Sequence, residues 1–186
     1  GADGQASTPA MYYTVASGLT FALWKLQFGP LGATEIVSQN ARRLALYQHF
    51  TSGTVDAASR LYYANAALYR SSMDGTGEQE LIPASAGWII EDLEINPSAG
   101  QLFWLRVQTG TGTCEIWRGD LDAQGATLIY SSPITVTDTV LDLSDPTGTK
   151  VFCSTEVADT GKANIFRLEA DGTNQTHILT VGNESF

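Results

Sequence analysis

Residues 67–82 read ALYRSSMDGTGEQELI. An apolar run enters the turn Met73-Asp74-Gly75-Thr76-Gly77, and Leu81-Ile82 leaves it. Asp-Gly between two strand-like runs marks a hairpin, because glycine takes the positive φ of a tight turn without steric cost. The stretch recurs three times, as ALWKLQFGPLGATEIV at 22–37, EIWRGDLDAQGATLIY at 115–130 and NIFRLEADGTNQTHIL at 164–179. Trp24, Tyr69, Trp117 and Phe166 then share a column, each followed by a basic residue: Lys25, Arg70, Arg118 or Arg167. Gly32, Gly77 and Gly125 share a second turn position with Asn174, and asparagine is the usual substitute for glycine in left-handed backbone. The aromatic anchors stand 45, 48 and 49 residues apart. A period of this length marks a repeat architecture.

Working outward, each unit reads as four short strands. Residues 1–9 are a small, polar lead-in, and 10–15 (AMYYTV) form the first strand, followed by strands at 19–27 and 34–38 around Gly29-Pro30-Leu31-Gly32. This first unit lacks the strand that opens the others. The second unit opens at 44–50 and continues through 60–64 (RLYYA). The third opens with LEINP at 93–97 and returns as LFWL at 102–105; the fourth opens with LDLSDP at 141–146 and returns as VFCS at 151–154. The second strand of each unit is aromatic and nearly continuous, as a strand covered on both faces requires. Four strands per repeat without helical periodicity is the pattern of a propeller blade. The fold expected is therefore all-β: a β-propeller of four blades of four antiparallel strands, at about 10–38, 41–82, 88–130 and 136–181, in one domain over 10–186.

The third unit, LEINPSAGQLFWLR followed by IWRGDLDAQG, resembles the YWTD repeat of low-density-lipoprotein-receptor-type (class B) β-propellers. Leu61-Tyr62-Tyr63-Ala64-Asn65 and Leu102-Phe103-Trp104-Leu105-Arg106 occupy the name-giving position, although neither spells YWTD. The resemblance covers roughly residues 10–181 and implies blade architecture. Rings of that family usually close six blades. Four units imply instead a small closed ring, a homo-oligomer in which two chains join their open edges, or a fragment with exposed strand edges.

With 20 acids and 10 bases the formal charge is −10. Such a surface repels phosphate backbones, so nucleic acid is not an expected partner. No apolar run approaches the length of a membrane span. Cys114 and Cys153 are the only cysteines; neither a disulfide scaffold nor a four-ligand zinc set follows. Placed on facing sheets of neighbouring units, they would bond only where the sheets converge. Two sequons, at Asn174 and Asn183, point to a secreted or extracellular protein.

No nucleophile elbow, zinc helix motif or phosphate-binding loop is present. The histidines, His49 and His177, stand apart in sequence. Asp74, Asp122, Asp145 and Asp171 sit in turns, where carboxylates bond the local backbone, and no EF-hand spacing exists. No catalytic residue, metal or cofactor is expected. The basic column recurs in every unit and reads as structural, with stems over apolar surface and heads on acids. Trp88 differs, because no sister unit has an aromatic residue there. It is expected in the connection between two units, with Arg42 and Arg43 in the preceding connection and Asp138 in the following one. Against local packing stands a binding role, since a loop tryptophan offers a flat surface to a sugar or an anchor to a protein. The irregular loop 107–113 (VQTGTGT) adds to that end. The function expected is non-catalytic recognition of a carbohydrate or protein surface through these connections. The alternatives are a hydrolase or lyase with a central-channel site, and a purely structural or assembly module.

Overall fold

The computed structural model describes residues 10–17, 20–27, 33–37, 42–47, 50–51, 54–55, 58–132, 136–142, 150–157 and 162–182. The lead-in at 1–9, the first turn at 28–32, His49, the turn at 143–149 and the second sequon lie outside the described residues. Every regular element among the described residues is a β-strand, and no helix there is long and apolar enough to cross a membrane.

The strands form antiparallel sheets in chain order. The first contains β1 (Ala10–Ser17), β2 (Thr20–Gln27) and β3 (Ala33–Val37). The second contains β4 (Arg43–Tyr47), β7 (Arg60–Ala64), β8 (Leu68–Ser72) and β9 (Gln79–Ile82), with a two-residue hairpin of β5 (Phe50–Thr51) and β6 (Thr54–Val55) between β4 and β7. The third is β10 (Trp88–Asn96), β11 (Gln101–Gln108), β12 (Cys114–Asp120) and β13 (Thr127–Ser132). The fourth is β14 (Val136–Asp142), β15 (Lys150–Val157), β16 (Lys162–Glu169) and β17 (Thr176–Val181). Among the described residues the first sheet thus has three strands where its sisters have four. The opening strand of the second unit spans 43–47 rather than 44–50, because the chain turns off into the β5–β6 hairpin.

Register shows the repeat at atomic level. Tyr13 pairs with Trp24, Tyr63 with Tyr69, Trp104 with Trp117 and Cys153 with Phe166. Two of these cross-strand pairs stack, Tyr63–Tyr69 at 5.7 Å and Trp104–Trp117 at 6.3 Å between ring centroids. Each outer strand then skips one residue at the same place. Ile36, Leu81, Ile129 and Ile178 fall between paired neighbours and form a bulge. The anchors Trp24, Tyr69, Trp117 and Phe166, on strands paired on both sides and opposite the bulges, are half-buried. The buried column lies one residue earlier, at Leu23, Leu68 and Ile116.

The turns carry the conformations that their residues demand. Gly75 and Gly172 have φ of 83° and 84°, and Asn174 has φ of 54° at the position its sequence context assigned to left-handed backbone. Asp74 accepts from the backbone N–H and hydroxyl of Thr76, and Asp171 accepts from the same groups of Thr173. These bonds hold both carboxyls below the ordinary carboxylate range, the side-chain hydroxyl contributing most.

The chain divides into two compact units, Gly1–Pro83 and Ala84–Phe186. Both pack sheet on sheet in the same way. In the first, Leu23, Tyr12 and Ile36 of the first sheet meet Leu61, Tyr63, Tyr69 and Met73 of the second. In the second, Phe103, Leu105, Ile116 and Ile129 of the third sheet meet Val151, Cys153, Phe166, Leu168 and Ala170 of the fourth. Each interface is closed by the Asp-Gly turn of the later sheet. Tyr12 Oη donates to the Met73 carbonyl at 3.0 Å, and Arg118 Nη1 donates to the equivalent Ala170 carbonyl at 3.0 Å. Lys25 and Arg118 add to the lowering of Asp74 and Asp171 respectively. The basic column is structural: Arg118 bonds the Ala170 carbonyl, and Arg70 bonds the Gln79 side-chain amide oxygen.

Cys114 and Cys153 lie in the core shared by the third and fourth sheets without a disulfide between them, and the Cys114 thiol donates to the Ser132 carbonyl at 3.6 Å. Burial, with the Cys114 thiol beside it, pushes Cys153 up to about 12.

Candidate functional site

Trp88, Arg43 and Asp138 fall within the opening strands of their sheets instead of in connections, whereas Arg42 stays in the connection before β4. Trp88 is the first residue of β10, paired with Gln108. Arg43 opens β4 opposite Ala64, and Asp138 lies in β14 opposite Ser154. The connecting segments are shorter than the sequence suggests, because β10 and β14 each absorb an extra residue in a bulge, between Ile90 and Asp92 and between Val136 and Asp138. Arg43 and Asp138 occupy one repeat position, with Asp92 as their counterpart in the third sheet. Arg42 stands one residue before β4, its guanidinium 6.0 Å from the centre of the Phe21 ring. Arg42 and Arg43 belong to the first unit, Trp88 and Asp138 to the second.

Around Trp88 the third sheet builds a cluster. The Arg106 guanidinium lies 4.3 Å from the centre of the Trp88 ring and 4.9 Å from that of Trp117. Register explains the placement. Arg106 faces Ile90 on β10 and Glu115 on β12, so Trp88 is its diagonal neighbour on one side and Trp117 on the other. One carboxylate oxygen, Glu115 Oε2, accepts from Arg106 Nε at 2.7 Å and from Trp117 Nε1 at 2.8 Å. Arg106 Nη2 reaches the same oxygen at 2.6 Å. Trp104 completes the array, nearly parallel to Trp117. An arginine spends its planar fork well here, since its edge bonds a carboxylate while its faces stack on indoles. The pair is only partly shielded, with side-chain exposures of 25% for Arg106 and 16% for Glu115.

The backbone next to Trp88 is tied down as well. Thr109 donates to the Gly87 carbonyl from its N–H at 2.6 Å and from its hydroxyl at 3.1 Å. This joins the segment before β10 to the loop 109–113, two irregular segments that sequence reading singled out separately. Gly87, Gly110 and Gly112 take positive φ there. Trp88 N donates to the Ser85 carbonyl at 3.0 Å. Trp88 is half-buried.

Arg106, Glu115 and Trp117 were not legible as partners of Trp88, because only the pairing register brings them together. His177 lies on the exposed outer strand β17, edge-on to Phe166. Among the described residues no three of His, Cys, Asp and Glu gather closely enough to hold a metal ion. In the first unit Tyr63 Oη donates to Glu78, and burial, then that carboxylate, push its ionisation well above the ordinary tyrosine range.

No protein-family model matches the chain, and no curated protein matches it. Solved structures do. A nidogen/laminin complex superposes with a TM-score of 0.64 at 14% identity, over 92% of this chain and 61% of that one. A putative TolB from Agrobacterium tumefaciens gives 0.62 at 16% identity, over 93% and 62%. An oligogalacturonate lyase from Vibrio parahaemolyticus gives 0.61 at 11% identity, over 90% and 48%. The fold is that of a β-propeller. The chain spans less than two thirds of the length of each of these proteins. At such identities the likeness is one of fold, which hosts many functions.

Proposed function

We propose that the chain contributes four propeller blades of the YWTD type and serves as a non-catalytic recognition module outside the cell. It holds a partner protein through the loop end of the third sheet. The observation that carries this reading is the mounting of Trp88. Its ring rests on Arg106, which is fixed in turn by Glu115, and its backbone is pinned through the Gly87–Thr109 bonds. Tryptophan and arginine dominate interface hot spots, and a ring already held in place loses little freedom on binding. Asp138, in the opening strand of the fourth sheet, is assigned to the same task, and Arg42 and Arg43 are assigned a recognition role of their own at the opening of the second sheet. Asn174, in an exposed turn, supports the extracellular setting as an accessible sequon. The nidogen/laminin structure is a protein complex built on this fold, which favours a protein partner.

A carbohydrate is the second reading. The flat indole suits a sugar ring, and the oligogalacturonate lyases are carbohydrate-active proteins of similar fold. A binding screen separates the readings. Wild-type protein and Trp88→Ala are passed over immobilised matrix and secreted proteins, oligogalacturonates and neutral glycans, with product analysis of each glycan. Protein capture that Trp88→Ala abolishes supports the proposal. Glycan capture that depends on Trp88 moves the function to the second reading, and any turnover of a glycan contradicts the non-catalytic assignment.

A further inference from the structure

The third sheet shows how this chain holds a guanidinium. Arg106 lies over the Trp117 ring at 4.9 Å and over the Trp88 ring at 4.3 Å, and the Glu115 carboxylate takes its edge. Behind Trp117 stands Trp104, with 8° between the two ring planes. The stack therefore runs Trp104, Trp117, Arg106, Trp88. Trp104 at one end is 3% exposed, whereas Trp88 at the other end is half-buried. An indole face carries the negative part of its quadrupole, so the group that extends such a series is a cation. The charge already in the stack does not oppose it, because Glu115 lies 2.6 Å from Arg106 Nη2 and neutralises it.

The charge around the stack points the same way. The compact unit 84–186, which holds it, has 14 Asp and Glu against 5 Lys and Arg. The unit 1–83 has 6 against 5, and the two together make the chain's 20 acids and 10 bases. Nearly all of the net charge of −10 thus belongs to the unit with Trp88. Pairing within that unit cannot cancel the excess, and the other unit has no surplus of bases to lend. Arg106 is engaged with Glu115, Lys150 with Glu169, and Arg118 with the Ala170 carbonyl beside Asp171. The strand that Trp88 opens, β10, is in contact with β14; the two carry Glu91, Asp92, Glu94, Asp138 and Asp142 and no Lys or Arg.

We infer that the partner of the Trp88 site is a basic protein segment that sets an arginine against the Trp88 indole, which presupposes the reading of Trp88 as a recognition residue for a protein. Arginine suits the place better than lysine, because its planar, weakly hydrated guanidinium stacks on an indole as Arg106 does. The acidic surplus draws such a segment in and orients it, an effect that salt screens. Charge also disfavours the competitors. A second copy of this chain brings the same surplus of acids, and so do an acidic protein and a polyanionic oligogalacturonate.

The probes are Gly-Ser peptides carrying three arginines, three lysines or three glutamates. They are titrated into the full chain with its tryptophans labelled with nitrogen-15, and the Trp88 indole N–H signal is identified by its loss in Trp88→Phe. The arginine peptide should shift that signal saturably, bind more tightly than the lysine peptide, and weaken as salt is raised. Trp88→Ala should lower its affinity about fivefold or more, the loss of a cation–π contact of about 1 kcal/mol. The signals of Trp24, Trp104 and Trp117 report whether the variant keeps its fold, and Trp88→Phe, which keeps an aromatic face, should lose less than Trp88→Ala. A Trp88 signal that stays in place into the millimolar range of arginine peptide overturns the inference. So does equal binding of the arginine and lysine peptides that survives Trp88→Ala, since the field alone would then account for it. Binding of the glutamate peptide at Trp88 overturns it as well. An acidic protein captured through Trp88 in the partner screen would sink the arginine inference and leave the recognition reading standing, whereas the absence of any Trp88-dependent protein partner would sink both.

Discussion

Gly75→Ala is the sharpest perturbation of the sheet-on-sheet interface. The residue has φ of +83°, and an added Cβ would lie 2.3 Å from the Ile36 carbonyl oxygen and 3.1 Å from its carbonyl carbon. Left-handed backbone alone costs an L-residue about 1–2 kcal/mol. Relief of the contact needs the turn to retreat by roughly 1 Å, and a gap of that size forfeits a quarter to a half of the dispersion energy of the atoms across it. The same retreat stretches the Tyr12–Met73 hydrogen bond, now 3.0 Å and worth about 1 kcal/mol. Together these give a loss of about 3–4 kcal/mol for Gly75→Ala. Gly125→Ala is the control. Its φ is +60° but nothing lies within 4 Å of the added Cβ, so it should lose only the backbone cost of about 1–2 kcal/mol. Urea unfolding of the two variants measures the difference. Equal losses would refute the close docking of the Asp-Gly turn on the neighbouring bulge.

Two pH effects follow from the same packing. Cys153 ionises near 12 in the folded chain against an ordinary 9.0, so its contribution to stability is whole below pH 9 and is lost as pH rises from 9 to 12. The loss is of order 4 kcal/mol by pH 12; Cys153→Ala should flatten that alkaline limb in denaturant titrations. Ellman's reagent should find two thiols in the unfolded, unreduced protein and react slowly with either in the folded one, both being buried and outside any disulfide. Asp74 shows the opposite sign. Its folded carboxyl is held below the ordinary value by Thr76, so it stabilises above pH 3.8 and the benefit disappears as pH falls through the folded value. Asp74→Asn should flatten the acid limb of the unfolding midpoint, and an unaltered limb would remove Asp74 from the account.

The repeat was legible because turn chemistry and aromatic anchors recur without gaps, and the register later placed Tyr13, Tyr63, Trp104 and Cys153 opposite those anchors. The positive φ of Gly75, Gly77, Gly125 and Asn174 followed from residue type alone. The bulges were not read, although paired apolar residues at Ile36-Val37, Leu81-Ile82 and Ile178-Leu179 interrupt strict alternation and were their signal. Without the bulges of β10 and β14, Trp88 and Asp138 were expected in connections. The Arg106–Glu115 pair stayed hidden for a related reason. It depends on how β11 lies against β12, which the Trp104–Trp117 pairing fixes two residues away.

Paired affinity and stability measurements on Trp88→Ala test the functional claim most directly. Once the screen has supplied a partner, titration calorimetry gives Kd and urea unfolding gives stability, with Trp117→Ala alongside. A hot-spot ring should cost about 2 kcal/mol of affinity, roughly a thirtyfold rise in Kd. Stability should change less in Trp88→Ala than in Trp117→Ala, since Trp117 stacks on Trp104 and Arg106 and bonds Glu115. An unchanged Kd with lowered stability would contradict the account and leave Trp88 as a packing residue.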